Sequence, residues 1–180
     1  MKKIYLIRHC EAVGQEPDAE LSIEGCRKAH ELCEILKNKG IEYIVSSPYK
    51  RAVQSIEPFA VWSVLEIELD DRLREKKMAE GNLDRWMYKL KCSFDDLSIR
   101  YEGGETSEEV MTRGVQAIQE TLKSDKDNIA VVTHGAIMTL ILKHFDSSVG
   151  FSTWRNLQNP DIYILEFGEG ESVELMRMFI

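Results

Sequence analysis

Two stretches far apart in the 180-residue chain each bring an apolar run to an end on residues that could do chemistry. IYLIRHCEA (4 to 12) delivers Arg8 and His9, and NIAVVTHGAI (128 to 137) delivers His134 and Gly135. Between them stand Arg51, shortly after SSPYK, and Glu75, in the charged stretch DDRLREKK. Two guanidiniums and two imidazoles around one point suit a tetrahedral dianion, because arginine offers a planar fork of donors and keeps its charge at any cellular pH. A charge pair about 4 Å apart is worth roughly 4 kcal/mol at an effective dielectric near 20. Such pairs would hold a phosphate group against the formal net charge of -8 carried by the whole chain.

Binding alone does not hydrolyse a phosphate monoester, a reaction that can demand about 10²¹-fold acceleration. A histidine nucleophile splits the reaction into two easier steps, in which neutral imidazole attacks phosphorus to form a phosphohistidine and water later breaks it. His9 is the candidate nucleophile. Glu75 is the candidate acid for the leaving oxygen, if burial and the arriving negative charge keep it protonated. Arg8, Arg51 and His134 would meet the charge developing on the phosphoryl oxygens, with the amide of Gly135 at a helix start as a further donor.

These residues need a frame, and the hydrophobic pattern supplies one. Residues 3 to 7 read as a buried strand; Ser22 caps a helix in which Ile23, Cys26, Ala29, Cys33 and Leu36 recur at helical spacing up to Gly40. A strand is expected over 41 to 47, a helix from Pro48 that breaks near Pro58, a strand over 64 to 69 and a weaker helix over 82 to 91. Thr106 or Ser107 starts the clearest helix, running to Leu122, and 128 to 134 form the clearest strand, turning back into the helix GAIMTLILKHF. IYILEF and VELMRMF read as two strands joined by GEGES. The alternation predicts an α/β fold: a three-layer αβα sandwich with a mostly parallel central sheet, right-handed crossovers and an antiparallel edge strand. In such sheets ligands bind beyond the carboxyl ends of the strands, where Arg8, His9, Arg51, Glu75, His134 and Gly135 all fall.

Length fits a single domain over residues 1 to 180. The longest apolar run, AIMTLIL, is far short of a membrane span, and no signal-like segment precedes the first strand, so a cytoplasmic protein is expected. Cys10, Cys26, Cys33 and Cys92 lack metal-ligand or disulfide-framework spacing and are expected to be buried thiols. Basic residues are dispersed among acids, which argues against nucleic acid or a membrane surface as partner; the expected partner is a small phosphorylated substrate, with oligomeric state left open. A metal-hydrolase reading of His9, His134, Glu75 and Glu11 is disfavoured, since two arginines beside a dication repel it and no HxH or HExxH spacing occurs.

In order, LIRHCEA, SSPYKRAVQS, LREKKMAEGN, GGETSEEV and VVTHGAI resemble the motifs of the histidine phosphatase superfamily, the phosphoglycerate-mutase-like enzymes with an Arg-His-Gly signature. The resemblance runs over roughly residues 3 to 145. It implies the phosphoglycerate-mutase-like fold and no metal or organic cofactor. It also implies that His9 is phosphorylated, that Arg8, Arg51 and His134 form the phosphate pocket, and that Glu75 is the acid.

The chain departs from that pattern in places. Cys10 stands where the family has glycine, either as a tolerated small residue or as an oxidisable switch. The loop from Glu11 to Leu21 lacks the usual phosphate-touching amides, for which Gln15 is the candidate substitute, and KKMAEGN leaves Glu80 as a second candidate acid. Glu105, in GGE, is a further candidate to reach the pocket, and Trp86 and Tyr88 to line a substrate entrance. The resulting expectation is a phosphomonoester phosphatase acting on a small phosphorylated metabolite. The alternatives are a phosphoglycerate-type mutase, a phosphohistidine-directed phosphoprotein phosphatase and a catalytically inactive phosphate-binding module.

Overall fold

The computed structural model describes residues 1–168 and 172–179. Six strands form one sheet in the order β3-β2-β4-β1-β5-β6. They are β1 (Lys2–Arg8), β2 (Tyr43–Ser46), β3 (Ile67–Leu69), β4 (Asn128–Thr133), β5 (Asp161–Phe167) and β6 (Val173–Met178). β1 runs parallel to β4, and β2 runs parallel to both β3 and β4, whereas β5 is antiparallel to β1 and β6. The expected edge is therefore an antiparallel hairpin added beside β1. Gly168 donates its amide to the Ser172 carbonyl at 3.2 Å; the rest of the GEGES turn lies outside the described residues.

Strand alternation explains the two cores. Ile4 and Leu6 of β1 join Ile129 and Val131 of β4 on one face, and Tyr5 and Ile7 join Ala130 and Val132 on the other. Helices α4 (Ser107–Thr121) and α5 (Gly135–Phe145) cover the first face; α1 (Ile23–Leu36) and α2 (Lys50–Ser63) cover the second. α4 starts on a capping box in which Thr106 and Glu109 satisfy each other's amides. Two further helices, α3 (Trp86–Asp95) and the short α6 (Phe151–Arg155), lie on the α5 side and meet through their aromatic rings.

Several expectations need correction. α2 does not break at Pro58 but continues to Ser63. A helix-interior proline costs about 3 kcal/mol, whereas burying side chains such as Ile56 and Phe59, both inside the second core, returns roughly 1.5–3 kcal/mol each. The strand expected over 64 to 69 shrinks to Ile67–Leu69, because Val64 (φ 57°) serves as the left-handed C-cap of α2. The weak helix over 82 to 91 lies instead at Trp86–Asp95. α1 is rotated relative to its apolar pattern: Gly25, Ala29, Leu32, Cys33 and Leu36 face inward, while Ile23 is 94% exposed. Cys26 consequently sits on the surface; Cys10 and Cys33 are buried and Cys92 half-buried, all four as free thiols. Gly25 is required where α1 crosses the first loop, since a Cβ there would lie 1.9 Å from the Glu11 carbonyl oxygen.

Candidate active site

β1 and β4 are in parallel register, Arg8 beside Thr133, so the next residues of both strands, His9 and His134, leave the sheet together. The His9 amide donates to the Thr133 carbonyl at 3.0 Å and the Asn159 side chain donates to the His9 carbonyl at 2.9 Å. The imidazole rings of His9 and His134 lie edge-on with centroids 5.1 Å apart. Cys10, directly after His9, is wholly buried; its amide donates to the Ser55 hydroxyl at 2.8 Å, and burial pushes its thiol up to about 11. A protonated, buried thiol fits the small-residue reading of Cys10 rather than the switch.

Arg51 occupies the first turn of α2, and its side chain is 1% exposed. Its Nε donates to His9 Nε2 at 3.2 Å, and Nη1 donates to the carbonyls of Gln15 and Glu16 at 3.1 and 2.9 Å. His9 Nδ1 lies 2.6 Å from its neighbour's carbonyl, Cys10 O. Nδ1 therefore carries the proton and Nε2 a lone pair, the only tautomer that serves both contacts. Burial, reinforced by Arg51 and Arg8, lowers the His9 pKa to about 3, although the bond to the Cys10 carbonyl opposes it. The ring is neutral at physiological pH.

His134 is fully buried, with Nε2 2.8 Å from the Ser47 hydroxyl, and the Tyr49 ring stands edge-on to it at 5.0 Å. Burial, then His9 and Arg51, hold it well below the usual histidine range. Arg8 donates from Nη1 to the carbonyls of Leu157 and Gln158 at 3.2 and 3.3 Å, and burial lowers its pKa too. Among the buried side-chain atoms described, Arg8 Nε and His134 Nδ1 have no protein partner. Gly135 is pinned beside this arginine: a Cβ there would stand 3.2 Å from Arg8 Nε and 3.1 Å from Trp154 Nε1.

Glu75 reaches the same corner from the far side. Its Oε2 accepts the Ala136 amide and its Oε1 the Ile137 amide, both at 3.1 Å, and Oε1 also accepts the Lys76 amide at 2.7 Å. The carboxylate thus caps the start of α5, where amides and the helix dipole favour an acceptor. Its loop is fixed from behind by Arg113, which donates to the carbonyls of Arg72 and Arg74 at 2.7 Å and is paired with Glu105 at 3.0 Å. A cleft of about 460 Å³ opens over Arg51 and Glu75, with Gln15, Tyr49, Lys76 and Glu105 in its walls.

The structure thus gathers Arg8, His9, Arg51, Glu75, His134 and Gly135 at one end of the sheet. Gln15 contributes its backbone carbonyl to Arg51 and is itself exposed. Glu80 is exposed and paired with Lys77, outside the cleft wall. Sequence reasoning missed Ser47, Ser55, Arg113 and Asn159, which orient the site residues. Only the serines had a visible signal, lying within the same short segment as Arg51. Among the described residues no group of His, Cys, Asp or Glu side chains is arranged to hold a metal ion. No described helix is long and apolar enough to cross a membrane.

Comparison with known proteins points the same way. Residues 4–178 match the family model described as "Histidine phosphatase superfamily (branch 1)". A curated relative from Proteus mirabilis, "Probable phosphoglycerate mutase GpmB", is 33% identical over 85 residues, covering 43% of this chain and 40% of its own length. "Putative phosphoserine phosphatase 2" from Hydrogenobacter thermophilus is 23% identical across 98% of this chain and 94% of its own. Among solved structures, a mycobacterial glucosyl-3-phosphoglycerate phosphatase with inorganic phosphate superposes with a TM-score of 0.80 at 21% identity, covering 99% of this chain and 96% of that one. At that identity the likeness concerns the fold.

Proposed function

Because the chain belongs to the histidine phosphatase superfamily, we propose that it is a phosphomonoester phosphatase that works on a small phosphorylated metabolite through a phosphohistidine at His9. The observation that carries this reading is the state of the His9 ring: neutral, its Nδ1 proton held by the Cys10 carbonyl, its Nε2 lone pair turned to the guanidinium of Arg51. An arriving phosphoryl group replaces Nε2 as the acceptor for Arg51 Nε and also meets Arg8 Nε and His134 Nδ1. Nε2 then attacks phosphorus, forming a P–N bond as the P–O ester bond breaks. Glu75 takes up a proton as the phosphoryl dianion arrives beside it and delivers that proton to the leaving oxygen from Oε2, on the lone pair that the Ala136 amide leaves free. In the second half a water gives that proton back to Glu75, its oxygen bonds to phosphorus, the P–N bond breaks, and inorganic phosphate leaves.

The test is hydrolysis of para-nitrophenyl phosphate and a panel of phosphorylated metabolites by wild type and His9→Ala. Wild type releases phosphate, and the variant loses at least about 10⁴-fold in kcat/KM, as removal of a nucleophile does. Phosphate release undiminished in His9→Ala refutes the assignment. A mutase is the second reading, favoured by the 33% identical mutase relative. Incubation with 3-phosphoglycerate separates the two: phosphate release faster than isomerisation supports the phosphatase.

A further inference from the structure

Lys76 follows Glu75 directly and is 6% exposed, yet it forms part of the cleft wall. Lysine is almost never buried to this degree without a charged partner. Among the described residues the hydrogen bond its ammonium makes is to a neutral group, from Nζ to the Ser107 hydroxyl at 2.7 Å. Nearby carboxylates are engaged elsewhere: Glu75 with the amides of α5, Glu105 with Arg113, and Glu109 with Arg100 and the Thr106 amide. The other cations along the cleft differ. Arg74 pairs with Asp71 and Glu105, Lys77 pairs with Glu80, and Arg51 is committed to the phosphate corner.

We propose that Lys76, seated on Ser107, anchors a second anionic group of the substrate, so that the preferred ester carries a carboxylate on its leaving group. This rests on the phosphatase reading above and adds a substrate class to it. Adjacency supplies the geometry: if Glu75 protonates the ester oxygen, the chain beyond that oxygen enters the part of the cleft that Lys76 walls. Ser107, at the start of α4, fixes the height of the ammonium. The buried cation also explains how a chain of net charge -8 admits a substrate with two anionic ends.

The amine should lose its charge in an accessible range. Burial lowers the Lys76 pKa to about 8, with Glu105, Glu75 and Glu109 acting upward and Arg113 downward. Arg51, Arg74, Lys77 and Glu16 also face the cleft. Selectivity for an anionic ester is therefore present below about pH 8 and lost above it, as Lys76 Nζ of the free enzyme gives up its proton.

The probes are the phosphate ester of 3-hydroxypropanoate and that of its neutral amide, which match in shape and leaving group and cannot isomerise. Para-nitrophenyl phosphate is run beside them. The readout is the ratio of kcat/KM for carboxylate over amide, from which any loss of folded enzyme cancels. Wild type at pH 7 should favour the carboxylate by about tenfold, in line with one hydrogen bond to a charged group. Lys76→Met brings the ratio to about one at every pH, and Lys76→Arg keeps it through pH 9, where wild type has lost it. A wild-type ratio near one with para-nitrophenyl phosphate still hydrolysed overturns the subsite alone. So does a ratio that survives Lys76→Met, which would leave Lys76 as a strap between its loop and α4. Turnover of none of the three esters overturns the phosphatase reading and the subsite together.

Discussion

The two sides of the cleft, which the proposed scheme gives to the phosphoryl group and to the leaving group, are built from different materials. His9, Arg51 and His134 are 6%, 1% and 0% exposed, and each is tied to the backbone or side chain of another element, His9 through the Nε of Arg51. Beyond Lys77 and Ala79, which line the cleft, the chain runs as a loop into α3 through the left-handed Arg85, and Glu80, Trp86, Met87 and Tyr88 are exposed. In the proposed scheme the half that handles the phosphoryl group, common to every ester, grows out of the sheet's core. The half to which that scheme gives the choice between esters hangs on a loop, anchored at its root by the Arg113–Glu105 pair and by Lys76 on Ser107.

That contrast makes graded predictions. The largest effect after loss of His9 itself belongs to Arg51. Arg51→Gln removes a buried cation that serves His9 and two carbonyls at once, and kcat should fall by about 10²–10³-fold for every ester alike. A loss confined to particular leaving groups would show that Arg51 belongs to the selective half. Glu75→Gln should break the symmetry in the other direction. It should cost about 10²-fold with alkyl phosphates, whose alkoxide needs a proton, and far less with para-nitrophenyl phosphate, whose phenolate leaves unaided. The same change at the exposed Glu80 should stay within about twofold on either ester, as isolated surface substitutions do. Equal losses at Glu75 with both leaving groups would assign it to holding the start of α5 and not to proton transfer.

The smallest signal is spectroscopic. Both site histidines have depressed pKa values, so they resist protonation as pH falls: nitrogen chemical shifts of His9 and His134 should stay those of neutral imidazole from pH 8 down to pH 5. The sign follows for stability. The unfolded chain takes up protons at these rings near its own pKa of about 6.5, while the folded one does not until about 3 at His9. Their contribution is complete above the unfolded value and is lost progressively on acidification. A His9 ring that titrates near 6.5 in the folded protein would contradict the buried geometry.

Most of the fold was legible because buried parallel strands announce themselves as apolar runs, as at residues 3 to 7 and 128 to 134, and because the chemical residues stand where those runs stop. What misled was local preference overridden by packing. Pro58 signals a break, but Ile56 and Phe59 carry the helix across it; Ile23 and Cys26 look like a core face, but Gly25 must face inward to clear the Glu11 carbonyl. α6 is too short for a periodic signal. In the site, the residues that touch phosphate in the proposed scheme could be named from their positions. Those that aim them could not. Asn159 reaches His9 across 150 residues, Arg113 reaches the Glu75 loop from α4, and Lys76 looks in sequence like one more solvated charge in REKK. Burial and partner choice, which only three dimensions display, distinguish it from Lys77 beside it.

The most direct test is to mix enzyme in excess with a ³²P-labelled ester, quench with alkali within milliseconds, and map the label. A nucleophilic His9 predicts a transient, alkali-stable and acid-labile phosphoryl group on its Nε2, formed before phosphate is released and absent in His9→Ala. Phosphate released in a single turnover with no label passing through His9, or with label on another side chain, would contradict it.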